Sequence, residues 1–135
     1  MKKIIYYLLT PVSLFMACQA QQKDQEKEII QTIDQLHNQA MVINEKAIKT
    51  KFRLDSVLLQ KNKLGNKDTV AIKFVIAELN HADEKMMDWM HHFQLDYKGS
   101  KTEALIYFKN QLDSLKQVQL NLENAIEQAK PFTKP

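Results

Sequence analysis

Glycine and proline are scarce in this chain. Gly65 and Gly99 are the only glycines, and no proline falls between Pro11 and Pro131. So few turn formers leave few places to interrupt a helix, and they exclude a glycine-rich phosphate loop. One cysteine, Cys18, excludes an intrachain disulfide. No nucleophile elbow occurs. HADE at 81–84 is not the zinc-protease helix motif, because Lys85 stands where a second histidine is needed. The carboxylates mostly fall on polar faces near lysines, as on a solvated helix surface. These gaps argue against an enzyme. An excess of one charge is also missing. Setting aside Lys2 and Lys3 takes Lys plus Arg from 19 to 17, against 16 Asp plus Glu. A near-neutral, mixed surface argues against nucleic acid as a partner, since phosphate binding needs clustered basic residues.

The first residues carry a processing pattern rather than a fold pattern. Lys2 and Lys3 form a basic start, and residues 4–17 are apolar except for Thr10, Pro11 and Ser13. Small Ala17 precedes Cys18. This order resembles a bacterial lipoprotein signal peptide, with Phe15 and Met16 departing from the usual residues. The resemblance implies cleavage before Cys18, diacylglycerol on its thiol and an acyl chain, palmitate for example, on its new amine. Such chains contribute ~0.8 kcal/mol per buried methylene, so a multiply acylated cysteine anchors firmly. An uncleaved membrane anchor is the alternative. The apolar run falls short of the ~20 residues that span a bilayer, and Pro11 would kink it.

Residues 18–28 then read as the lipidated cysteine and a polar tether, QAQQKDQEKE. QKDQE at 22–26 resembles the short export signal that sends some Bacteroidetes lipoproteins to the outer face of the outer membrane. The cell envelope, with the outer membrane first, is thus the expected location, and an ordinary solvated linker is the competing reading.

Beyond the tether the apolar period is helical. The expected domain is an all-α, antiparallel, up-down-up three-helix bundle over 29–131, coiled-coil-like and carried on an N-terminal lipid tether, with 132–135 as a tail. The helices are expected over about 24–63, 67–98 and 101–130. The first seam is Ile29, Ile33, Leu36, Ala40, Ile43, Ala47, Thr50, Leu54 and Val57. The second is Ile72, Val75, Leu79, Ala82, Met86, Trp89 and Phe93. The third is Leu105, Phe108, Leu112, Leu115, Gln119, Leu122, Ile126 and Ala129. Spacings alternating three and four pack helices at shallow angles. Gly65 and Gly99 are expected just past helix ends with positive φ. Asn66 or Asp68 is expected to cap the second helix. Ser100-Lys101-Thr102-Glu103 reads as a capping box, and Pro131 as the last helix's stop.

One stretch concentrates chemistry. HADEKMMDWMHHF at 81–93 holds three methionines, the only tryptophan and three of the four histidines. A turn near Gly65 sets Met41 level with Trp89 and His37 level with Phe93. A turn near Gly99 sets Trp89 near Tyr107 and Phe108. The expected layer is His37, Met41, Met86, Trp89, Met90, Phe93 and Phe108. Packing accounts for it: methionine fills irregular gaps beside aromatic rings, and Met86 and Trp89 already lie on the seam. The alternative is a soft-metal, Cu(I)-type site, with His37, Met41, Met86 and Met90 as ligands and Trp89 capping the ion. His91 and His92 point about 100° apart on a helix and do not easily share an ion. His81 has no obvious partner.

MMDWMHHF at 86–93 also resembles a stretch in small Bacteroidetes lipoproteins labelled "viral A-type inclusion protein". Leu36-His37-Asn38, Met41, Ala82, Met86, Met87, Trp89 and Met90 occupy corresponding places, whereas Val42-Ile43-Asn44 departs from that pattern. The resemblance implies a compartment and a helical fold, and supplies no activity or functional residues. The expected function is a non-enzymatic envelope lipoprotein acting as an interaction or structural module. It meets the membrane through its anchor, and a protein partner or a second copy through a helix face. Tyr97, Phe132, Leu59 and Phe74 are candidates for an apolar patch there.

Overall fold

The computed structural model describes residues 10–64 and 69–133, with side chains from residue 23 onward. It contains three helices, α1 (Thr10–Lys63), α2 (Val70–His92) and α3 (Lys101–Thr133). They form an all-α three-helix bundle, in which α1 and α3 share the most extensive contact. Cross-helix pairs give the direction. His37 meets Trp89 and Asn44 meets Asp83, so residue numbers rise on α2 as they fall on α1. Trp89 meets Gln111 and Gln94 meets Tyr107, so α2 and α3 are likewise antiparallel.

The α2 seam is buried as expected from Ile72 to Trp89, with Phe93 half-buried at its end. Two seams need correction. On α3 the buried line also takes in Ala104, Val118 and Ala125, and Gln119 is only half-buried. The α3 line 104-108-115-118-122-125-129 keeps the three-four rhythm except for the seven-residue step from 108 to 115, where Gln111 and the expected seam residue Leu112 are half-buried. Leu105 and Ile126 lie on its flank because α3 packs against both other helices. On α1 the missed position is Asn44, 4 % exposed, four residues after Ala40 and three before Ala47. Its Nδ2 donates to Asp83 Oδ1 at 2.8 Å, while its Oδ1 is buried without a protein partner.

Helix limits also differ. α1 starts at Thr10 rather than near residue 24, so the segment expected to be a tether is helical. Gln, Glu, Lys and Ala propagate a helix well, and no proline or glycine interrupts them. Burial nonetheless begins only near Ile29, residues 23–28 being exposed apart from half-buried Glu26. α2 ends at His92, six residues early. Phe93 leaves the helix with extended backbone (φ −71°, ψ 128°), and its N–H closes the last turn onto Trp89 O. α3 continues through Pro131 to Thr133, so proline does not stop it. A proline in the last turn forfeits one hydrogen bond, and Thr133 Oγ1 donates back to Ala129 O at 3.3 Å.

The capping box is present. Ser100 N–H donates to Glu103 Oε2 at 2.8 Å, and Glu103 N–H donates to Ser100 Oγ at 3.3 Å. Hydrogen bonding of the carboxylate to Ser100, to its backbone N–H foremost and then to its side chain, holds the Glu103 carboxyl below the usual carboxylate range. Gly99 does not have positive φ. A Cβ there would meet Tyr97 Cε1 at 2.7 Å and Glu103 Cβ at 3.3 Å, so close approach is what glycine permits. Gly65, Asn66 and Asp68 lie outside the described residues. The residue before α2 is Thr69, whose side chain makes no cap bond.

Candidate functional site

α1 runs past the C-terminal end of α2, and at that end the chain between α2 and α3 is held by aromatic rings. Trp89 stacks on His37 at 5.9 Å and on Phe93 at 4.9 Å. Tyr97 stacks on Tyr107 at 4.3 Å, and Tyr107 meets Phe108 edge-on at 5.2 Å. Phe93 joins the two sets, with Phe108 at 6.3 Å and Tyr107 at 6.5 Å. Such pairs contribute about 0.5–1.5 kcal/mol each beyond the area they bury. The polar groups are served as well. Trp89 Nε1 donates to Gln111 O at 3.2 Å, and Gln94 N–H donates to the Tyr107 hydroxyl at 2.7 Å.

Beside this staple lies a cavity of about 760 Å³. Its apolar wall is Ile30 and Ile33 of α1 with Met90, Phe93 and Leu95. His37 and Trp89 close one side. Gln31, Asp34 and Gln35, all exposed, border it. This is the size and character of a small-molecule site: mostly apolar, with a few polar groups.

The sequence-selected residues divide. His37, Trp89 and Met90 line this cavity together. Met86 is fully buried in the core. Met41 is 39 % exposed and lines a separate groove with Val42, Asn44, Glu45 and Ile48. His37 rather than Met41 is the α1 residue on Trp89, because the register lies about one helical turn from that expected. Metal ligands must share one coordination sphere, and this cavity offers one sulfur, Met90. Among the described residues no three His, Cys, Asp or Glu side chains form a metal-holding group. His91 and His92 are exposed, the latter donating from Nδ1 to Asp88 O at 2.7 Å. His81 is exposed too, 4.0 Å from the Glu84 carboxylate.

The four apolar surface candidates also divide. Tyr97 and Phe132 pack against the core from the described connection and the end of α3, whereas Leu59 and Phe74 are exposed. Tyr97 stands at the α2–α3 end, and the other three on residues near the opposite end. Sequence reading missed Ile30, Asp34 and Leu95. The Ile29-Ile30 pair was the available signal, since only one of two adjacent residues can sit on a seam. Leu95 gave none, because its place depends on where α2 stops.

No known protein family, curated protein or solved structure matches the chain. The residues and their geometry therefore carry the functional reading.

Proposed function

We propose that this protein is a non-enzymatic lipoprotein of the cell envelope, anchored through Cys18, whose helical bundle serves as an interaction or structural module. The observation that carries the reading is the N-terminal order: Lys2-Lys3, an apolar run, Ala17-Cys18, then a polar decapeptide. In this reading a covalent lipid on Cys18 is the means of attachment. The outer membrane is the proposed location, with QKDQE favouring its outer face. Leu59 and Phe74, exposed near the α1–α2 turn, are the proposed contact for a protein partner or a second copy. A Cu(I) site on His37, Met41, Met86 and Met90 has less support, since of these four only His37 and Met90 line the cavity.

Metabolic labelling with an alkyne analogue of palmitate, followed by membrane fractionation, tests the anchor. The expected result is a labelled, membrane-bound wild type and an unlabelled Cys18→Ser variant. Equal labelling of the two, or an unlabelled wild type, overturns the proposal.

A further inference from the structure

The cavity has a chemical preference of its own. Its wall is hydrocarbon and ring, from Ile30, Ile33, Met90, Phe93 and Leu95. Trp89 contributes ring surface only, because its N–H is already given to Gln111 O on the α3 side. Among the described residues the lining contains no lysine or arginine to hold a bound anion. Asp34 is the one acidic side chain at the border. It stands exposed, and no basic residue pairs with it among the described residues. Positions three and four away from it on α1 are Ile30, Gln31, His37 and Asn38, so the helix places no lysine or arginine beside it. Leu95, in the non-helical chain after α2, is a large apolar side chain left mostly in solvent at the cavity's edge. An apolar body in the cavity would cover it.

We propose that this cavity binds a small cationic amphiphile, with its apolar body between Ile30, Phe93 and Leu95 and its positive head at Asp34. Burial of the apolar body supplies most of the affinity, and Asp34 sets the sign of the head group. The assignment does not depend on the lipid at Cys18.

Trp89, the only tryptophan, reports from the cavity wall. The purified full chain is titrated with decylammonium, decanoate and decanol, each below its aggregation threshold, while Trp89 fluorescence is followed. Saturable one-to-one binding is expected, with decylammonium about tenfold tighter than decanoate, as an exposed carboxylate discriminates modestly. Asp34→Asn should reduce that preference to about twofold while decanol binds as before. Ile30→Phe, which fills the cavity from a half-exposed position, should weaken all three. Circular dichroism shows whether each variant is folded, and Asp34→Asn changes only an exposed side chain, so the charge test stands if Ile30→Phe does not fold. Non-saturable signals, decanoate binding as tightly as decylammonium, or a preference unchanged in Asp34→Asn overturns the proposal.

Discussion

The two ends of the bundle reverse the chain by different means. At the α2–α3 end, rings and specific hydrogen bonds hold eight non-helical residues, 93–100, between the helices. The capping box then starts α3. At the α1–α2 end, Leu64 and Val70 are 77 % and 74 % exposed, and Thr69 caps α2 without a side-chain bond. The first end has its aromatic side chains packed and hydrogen-bonded, although Leu95 stays 63 % exposed at the cavity's edge. The second leaves apolar side chains in water. Apolar side chains that stabilise nothing within the fold are free to serve a contact, and the proposed partner surface uses Leu59 and Phe74 of this end.

Truncating the staple should break this contrast most strongly. Trp89 is 7 % exposed, touches two rings and donates a hydrogen bond. Trp89→Ala is expected to cost about 3–5 kcal/mol, read by urea denaturation followed by circular dichroism. A cost under ~1 kcal/mol would mean that the aromatic end does not hold the bundle.

A smaller change at the same end sharpens the comparison. Ser100→Ala should cost ~1 kcal/mol at neutral pH through loss of the cap. Glu103 adds a pH dependence whose sign follows from its lowered carboxyl. Its contribution is fully present above the unfolded carboxyl's range and is lost as pH falls through the lowered folded value. Wild-type stability should therefore show an acid-side loss that Glu103→Gln lacks, measured by denaturation at a series of pH values. The group is fully exposed, so the step is small.

The smallest effect belongs to the opposite end. Phe74→Ser should alter stability by no more than ~0.5 kcal/mol, because Phe74 is 58 % exposed. A large loss would show that this end is packed after all, and would remove it as a contact surface.

Much of the fold was legible because a three-four apolar period and a shortage of turn residues allow little but long antiparallel helices. The capping box at Ser100 was legible for the same local reason, as its two hydrogen bonds lie within four residues. The α2 seam was correct from Ile72 to Trp89. The candidate site was legible only in part. His37, Trp89 and Met90 were selected, and the structure brings them together. Met41 was assigned to the same layer because the register was counted from an assumed turn position. A few residues of error moves a helix by a full turn.

What this sequence determined alone is local: where helices can run, which faces are apolar, and which four residues form a cap. The tertiary structure decided what depends on relative placement. It set His37 rather than Met41 against Trp89, and buried Asn44 opposite Asp83. It also ended α2 at His92, where the ring of Tyr107 from the next helix receives the chain. The physical reason is that a helical period specifies angle about an axis but not position along it. Only side chains from two helices meeting at fixed distances specify the second.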